Sequence, residues 1–311
     1  MSALNGLHHV TAITSDAQQN LDFYGNVLGL RLVKRTVNFD DPTSYHLYYG
    51  NQSGAPGTIL TFFAWPNAVR GRLGTGETSA IALSVARDSL GFWRARLAQF
   101  GIETQISTRF GDEVLSFQDF DGIVLELVAC DDARSRWNNS EIAIEYSIRG
   151  LHSVTISQGD VSRVPEMMEI MGFHFVDQES GHARFSTGDK RAGASLDVSA
   201  SPAQRGQMGA GTIHHIAFRV TDDAAQTQWR DDLTNRGFGV SPVMDRTYFH
   251  SIYFREPGGV LFEIATDNPG FDVDETLQTL GEKLMLPPQY ESSRARIEAV
   301  LPPLVLKTER P

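Results

Sequence analysis

One short pattern occurs four times along this 311-residue chain, and it restricts the possible folds more than any other feature. Each copy opens on an alternating apolar segment: Leu7-His8-His9-Val10-Thr11, Ser79-Ala80-Ile81-Ala82-Leu83, Leu151-His152-Ser153-Val154-Thr155 and Ile213-His214-His215-Ile216-Ala217. Next come Ser15-Asp16, Asp88-Ser89, Asp160 and Asp222-Asp223, whose side-chain oxygens can accept from the free N–H groups of a first helical turn. Helical spacing follows, with Leu21, Tyr24 and Leu28 on one face in the first copy and Trp93, Leu97 and Phe100 in the second. Each helix is expected to stop at a glycine followed by an apolar residue: Gly29-Leu30, Gly101-Ile102, Gly172-Phe173 and Gly237-Phe238. Further alternating runs end in last strands near 58–63, 123–128, 194–198 and 260–265. Any α+β chain has helices capped by Asp and closed by Gly; four in the same order are a repeat. The expected fold is α+β, with four βαβββ modules forming two curved, mostly antiparallel sheet lobes and the helices outside.

Aligning the first strands puts His9, Ala80, Ser153 and His215 in one column, 71, 73 and 62 residues apart. The polar stretch 131–148, around Arg134-Ser135-Arg136-Trp137-Asn138-Asn139-Ser140, divides the chain. The expected domains are 1–135 and 136–286, two modules each, with a tail at 287–311. A second linker is expected over 199–211, with Pro202, Gly206, Gly209 and Gly211. In the tail, Pro287-Pro288 and Pro302-Pro303 flank a short amphipathic helix near 290–301.

Bulk properties exclude several classes of function. A net charge of −11, from 27 basic and 38 acidic residues, opposes nucleic-acid binding, and no basic run overrides it. The one cysteine, Cys130, cannot form an internal disulfide, which fits a reducing compartment. Met1-Ser2-Ala3-Leu4-Asn5-Gly6 lacks the features of a signal peptide, and no apolar run approaches the roughly 20 residues of a membrane span. A cytoplasmic protein without membrane partners is expected; its oligomeric state, homo-oligomer included, is left open.

The last strands supply a second column: Thr61, Glu126, Asp197 and Glu263. Two modules facing one another would offer four inward positions. The first with the second gives His9, Thr61, Ala80 and Glu126; the third with the fourth gives Ser153, Asp197, His215 and Glu263. Only the first with the fourth gives two imidazoles and a carboxylate, His9, His215 and Glu263, with Thr61 in the remaining slot. That set matches the facial triad of non-haem Fe(II) oxygenases. The outer modules are therefore expected to meet. If 257–259 is a three-residue loop, Tyr253 stands across the hairpin from Glu263 on the same face. Arg246 enters the strand before it and could anchor an anionic oxygen. Strict alternation would turn His8 and His214 away from their neighbours. His152 shares their column and is not taken as a ligand; His46 and His250 have no assigned role. A lone strand histidine is more often a core residue than a ligand, but two His-His pairs at one repeat position weigh towards metal.

These motifs, with Ser251-Ile252-Tyr253-Phe254 and Leu261-Phe262-Glu263, resemble the hydroquinone ring-cleaving dioxygenases, a branch of the glyoxalase/bleomycin-resistance/extradiol dioxygenase (vicinal-oxygen-chelate) superfamily. The likeness runs over nearly the whole chain. It implies iron ligation by His9, His215 and Glu263, substrate binding by Tyr253 and Arg246, and pocket roles for Thr11, His8 and His214. It further implies Fe(II), with Mn(II) or Zn(II) as substitutes, and a small hydroquinone-like substrate with O2. Phe62, Phe63, Trp65 and Phe249 are candidates to line the pocket. Two rival readings remain at this level. One is a redox-neutral glyoxalase-like lyase or thiol transferase, for which Thr61 is a poor fourth ligand. The other is a non-catalytic aromatic-binding protein, which would leave the triad unexplained.

Overall fold

The computed structural model describes residues 4–66, 68–138, 141–188, 192–201 and 204–306. Of the positions singled out above, Met1, Ser2, Ala3, Asn139, Ser140 and Pro202 lie outside the described residues. The first module contains β1 (Leu7–Thr14), α1 (Ala17–Leu21, continuing as a wider π turn over Asp22–Val27), β2 (Arg31–Val37), β3 (Tyr45–Gly50) and β4 (Ile59–Ala64). The second has β5 (Glu77–Val85), α2 (Leu90–Gln99), β6 (Gln105–Arg109), β7 (Asp112–Gln118) and β8 (Val124–Ala129). The third has β9 (Gly150–Gln158), α3 (Val164–Ile170), β10 (His174–Glu179), β11 (His182–Ser186) and β12 (Ser195–Ala200). The fourth has β13 (Ile213–Val220), α4 (Asp223–Asn235), β14 (Met244–Asp245), β15 (Phe249–Arg255) and β16 (Leu261–Pro269).

The strands form two eight-stranded sheets, ordered β14-β15-β16-β13-β1-β4-β3-β2 and β10-β11-β12-β9-β5-β8-β7-β6. The first and fourth modules thus share one sheet, as the ligand set requires, and the second and third share the other. Within a module the first and last strands run parallel; all other neighbours are antiparallel. At the central junctions His9 faces Ala217 and Thr11 faces His215, while Ala80 faces Thr155 and Ala82 faces Ser153. Each sheet therefore has a local pseudo-twofold axis at its centre, and the four-residue column holds in both.

Period-2 alternation assigns the faces. Val10, Ala12, Leu47, Leu60, Phe62, Phe262 and Ile264 point towards the helices and join Tyr24, Trp93, Trp229 and Leu233 in the main core. The intervening positions line the inner face of the sheet. Phe62 belongs to the helix side, packed on Tyr24 with ring centres 4.3 Å apart, so it does not line the pocket expected for it.

The helix ends partly follow the expectation. All four closing glycines have positive φ, between 68° and 88°. At three of them the paired Schellman bonds form: Gly101 and Ile102 donate to Ala98 and Leu97, Gly172 and Phe173 to Glu169 and Met168, and Gly237 and Phe238 to Thr234 and Leu233. At the N-termini only Asp16 and Asp222 cap by side chain, accepting from Gln19 and Ala225. Ser89 is a cap position without a side-chain bond and Asp160 bonds Ser162 ahead of α3. In both places the chain enters the helix already in helical backbone geometry, which turns the side chain away from the free N–H groups.

The tail forms a 3₁₀ turn (Pro288–Ser293) and α5 (Arg294–Val300). It lies over the first module: Ile297, Leu301, Leu304 and Leu306 are buried, Tyr290 donates to the Phe39 carbonyl and Tyr45 to that of Pro302. Ahead of it, the segment after β16 is tied to β2. Arg31 donates to the carbonyls of Leu277 and Gln278, and the fully buried Lys34 ammonium donates to Glu275 at 2.6 Å and to Asp274. No helix of the described residues is long and apolar enough to cross a membrane.

Candidate metal centre

His9 on β1, His215 on β13 and Glu263 on β16 converge on the inner face of the first sheet. The Nε2 atoms of the two histidines are 3.2 Å apart, and Glu263 Oε2 lies 3.4 Å from His9 Nε2 and 2.9 Å from His215 Nε2. Three donors at right angles about one ion with bonds of ~2.1 Å would stand ~3.0 Å apart, so these residues fit a metal ion. All three are buried, Glu263 with no exposure at all. Ser251 donates to Glu263 Oε1 at 2.5 Å, while Oε2 has no hydrogen-bond partner. A buried carboxylate oxygen left bare beside two imidazole nitrogens is costly unless a cation joins them. Burial pushes the Glu263 carboxyl up, but the His9 and His215 imidazoles outweigh it and hold it well below the usual range. Burial in turn favours neutral His215.

The residue before each of these two histidines behaves differently from a regular strand. The junction of β1 with β13 slips register twice, leaving His8 and His214 each as the extra residue of a bulge. Instead of pointing away, each ring turns back onto its neighbour. His8 Nδ1 lies 2.9 Å from His9 Nδ1, and His214 Nδ1 lies 2.7 Å from His215 Nδ1. The other nitrogen of His8 is 3.1 Å from the Thr266 carbonyl, which can only accept. His8 therefore carries its proton on Nε2 and offers Nδ1 as acceptor. His9 must donate from Nδ1, which leaves its Nε2 lone pair facing the site, the tautomer a ligand needs. Burial first, then His9, keeps His8 neutral; burial, then His215, takes His214 down to about 3. The second sheet has matching slips at Ser79 and His152.

Tyr253 stands opposite Glu263 as the three-residue loop requires, and Glu256 accepts the closing Gly259 N–H. Arg246 Nε donates to the Tyr253 oxygen at 3.3 Å, and its other nitrogens reach the Asp40 carboxylate at 3.2 and 3.4 Å. A tight turn aims this arginine: Thr247 has φ of 66°, unusual for a β-branched residue, and Tyr248 N–H bonds back to the Arg246 carbonyl at 2.7 Å. Burial raises the Tyr253 phenol, so it keeps its proton.

A chamber of about 30 Å³ adjoins the triad, lined in part by Asn38, Phe39, Asp40, Phe63, Phe249 and Arg246. Phe249 packs against His8 and His9 at 5.0 Å each. Trp65 stacks behind Phe63 and does not line the chamber. Thr11 lines it and shares a 2.8 Å hydrogen bond with Thr61. Sequence reasoning carries Ser251 only inside the Ser251-Ile252-Tyr253-Phe254 motif, without a role of its own, and assigns none to the 38–40 loop or to His46 and Tyr48, also in the lining. Their one signal is position: Tyr48 pairs with Thr61 on β3–β4 as Tyr253 pairs with Glu263 on β15–β16. His250 lies apart, bonded to Asp223 at 2.6 Å. A much larger groove of about 970 Å³ between α1 and β6–β7 contains none of these residues.

The equivalent place in the second sheet holds no such centre. Arg184 stands opposite Asp197 where Tyr253 stands opposite Glu263, and bonds it at 2.7 and 2.8 Å. Arg109 donates to Glu126 through its two terminal guanidinium nitrogens. Guanidinium groups there balance the inward carboxylates that a cation would otherwise balance. Among the described residues only His9, His215 and Glu263 form a group able to hold a metal.

Known proteins agree with this architecture. The sequence model of the Glyoxalase/Bleomycin resistance protein/Dioxygenase superfamily matches residues 6–127 and 165–264. MhqO of Bacillus subtilis (strain 168), named a ring-cleaving dioxygenase, is 46% identical over 305 residues, covering 97% of both chains. The chlorohydroquinone/hydroquinone 1,2-dioxygenase of Sphingobium indicum is 34% identical over 302 residues, covering 93% of each. A solved Bacillus subtilis structure named as a dioxygenase superposes with a TM-score of 0.94 at 45% identity, covering 98% of each chain. Maize glyoxalase I, at 13% identity and a TM-score of 0.65 over 89% of this chain and 97% of its own, shares the fold. With both halves matched and relatives aligned end to end, this chain belongs to the Glyoxalase/Bleomycin resistance protein/Dioxygenase superfamily, on the branch of the ring-cleaving dioxygenases.

Proposed function

We propose that the protein is an Fe(II)-dependent dioxygenase that opens the ring of a hydroquinone-like phenol, with His9, His215 and Glu263 as the iron ligands. The observation that carries this reading is the bare, fully buried Glu263 Oε2 set against two imidazole Nε2 atoms. Two imidazoles and one carboxylate suit iron that must keep open positions, although Mn(II) or Zn(II) could occupy the same donors. The Sphingobium relative, named for chlorohydroquinone and hydroquinone, supports the substrate class. Redox-neutral glyoxalase-like chemistry is disfavoured because the fourth slot holds Thr61, whose hydroxyl is already engaged by Thr11 and His46. The lone, buried Cys130 fits a reducing cytoplasm.

Bound Fe(II) would supply adjacent positions for phenolate and O2 and the path for electrons between them. The chain's own groups do the remaining work. Arg246 occupies the Tyr253 oxygen as a donor, which leaves the Tyr253 proton free to bond a phenolic oxygen. The same guanidinium stabilises negative charge developing there. Phe63 and Phe249 offer apolar walls to a ring. His8 and His214 hold the ligand imidazoles in orientation, and Thr11 presents a hydroxyl beside them. A chamber of about 30 Å³ has room for little more than a water, so binding of a ring requires its lining side chains to shift.

The test is anaerobic loading with Fe(II), then O2 uptake with hydroquinone and methylhydroquinone, beside His9→Ala and Glu263→Ala. Uptake that depends on substrate and disappears in both variants is expected. Tight metal binding without uptake on any hydroquinone would overturn the substrate class, and failure to retain metal would overturn the enzyme reading.

A further inference from the structure

The chamber has two halves related by the pseudo-twofold axis of the first sheet, and the reading above uses mainly one. In the fourth module Ser251 and Tyr253 alternate on β15, and Ser251 bonds the last-strand residue Glu263. In the first module His46 and Tyr48 hold the same two places on β3, and His46 bonds the last-strand residue Thr61. Four groups then form one unbroken chain. Tyr48 OH lies 2.8 Å from His46 Nδ1, His46 Nε2 lies 2.8 Å from Thr61 Oγ1, and Thr61 Oγ1 lies 2.8 Å from Thr11 Oγ1. All four are buried. Thr11, His46 and Tyr48 line the chamber, so both ends of the chain open on it. Among the described residues neither end hydroxyl makes a further side-chain hydrogen bond.

We propose that Tyr48, His46, Thr61 and Thr11 form a proton relay that carries a proton between two points of the substrate chamber, with His46 switching tautomer in its middle. The proposal rests on the dioxygenase reading for its substrate. With the chain polarised towards Thr11, Tyr48 donates to Nδ1, Nε2–H donates to Thr61, Thr61 donates to Thr11, and Thr11 donates into the chamber beside the triad. A shift along the chain breaks the O–H bonds of Thr11 and Thr61, the Nε2–H bond of His46 and the O–H bond of Tyr48. It reforms each hydroxyl one step along and leaves the proton on Nδ1. The acceptor beside Thr11 gains a proton, and the donor beside Tyr48 loses one. The chain ends reversed and neutral, and no net charge enters the buried site. A para-dihydroxylated ring suits such a device, because one hydroxyl can lose its proton at the far end while a basic oxygen near the triad gains one. Burial, with His215 and His9 next in order, keeps His46 uncharged, as tautomer switching needs. Burial likewise keeps Tyr48 protonated.

The experiment compares the Fe(II)-loaded parent with His46→Gln and Thr61→Val, which break the chain at different links. General acid–base groups typically contribute ~10²–10⁴-fold, so each variant is expected to lose at least ~10²-fold in kcat with KM within about threefold and parental metal content. The parent is expected to show a solvent deuterium isotope effect on kcat with a curved proton inventory, absent from both variants. Imidazole is expected to restore part of the activity of His46→Ala. An active parent with kcat and isotope effect unchanged in both variants would overturn the relay and leave the dioxygenase reading intact. If the parent opens no hydroquinone, that reading fails separately. The ¹⁵N spectrum of histidine-labelled protein then decides: averaging of both His46 nitrogens between tautomers is the relay result, and one fixed tautomer overturns it.

Discussion

Glu263 sets a carboxylate with no exposure against two imidazoles, an environment that penalises the charge heavily unless a cation shares it. Glu263→Gln keeps the shape and removes the charge. It is expected to abolish stable Fe(II) retention by metal analysis while the melting temperature of metal-free protein stays level or rises. His8 acts one step further out. His8→Leu leaves the His9 Nδ1–H without its acceptor, and loss of such an outer partner typically weakens metal affinity ~10–100-fold. A chelator competition titration measures this. His152→Leu, altering the matching bulge residue of the other sheet, is expected to leave metal affinity unchanged.

The elements combine strong local rules with a few tertiary departures from them. Helix α4 has a true side-chain cap at Asp222, whereas Ser89 ahead of α2 bonds the Ala86 carbonyl instead. Asp222→Ala is therefore expected to cost ~1 kcal/mol of unfolding free energy in urea, and Ser89→Ala, at the helix end, distinctly less. The bulges at His8 and His214 are the departure that matters to the site. Beyond the bulges, period-2 alternation carries the residues of β1 and β13 to their observed faces, while Leu7 and Ile213, on the near side, change phase and join the core with Val10 and Ile216. Those two histidines reach their neighbours because the junction inserts an extra residue into each strand. The hydrogen bond from His8 to the Thr266 carbonyl on β16 holds one of these rings in place.

At the scale of the whole molecule the two sheets meet through a polar corner. Asp119, on the turn between β7 and β8, accepts from the Tyr24 hydroxyl at 2.8 Å and from the backbone of Asp121 and Ile123. Asp121 accepts from Thr14 and Ser15. Burial raises the Asp119 carboxyl to about 6, its hydrogen bonds offsetting only part of that push. A carboxyl raised in the folded state adds stability that is complete below its unfolded value near 4 and is lost as pH rises through about 6. The loss amounts to ~2–3 kcal/mol above that range. Asp119→Asn is expected to flatten the pH dependence of the melting temperature between about 4 and 6 and to raise it at neutral pH. Thermal melts at a series of pH values measure both.

The amino-acid sequence by itself determined the repeat, the strand–helix–strand order of each module, the glycine stops, and the column that aligns His9 with His215. These are local matters of period and capping, and local physics resolves them. It also specified the pairing of Tyr253 with Glu263, because a three-residue loop leaves a hairpin one register. That the outer modules share a sheet could be argued from chemistry alone, since only that pairing collects two imidazoles and a carboxylate. Only the tertiary structure decided the rest. Bulge positions depend on how two distant strands twist against each other, and so did the orientation of His8 and His214. The arginines that neutralise Glu126 and Asp197 come from strands whose inward residues no period singles out. The chain from Tyr48 to Thr11 joins three strands of one module, and it exists because their shared register brings successive donors to within 2.8 Å.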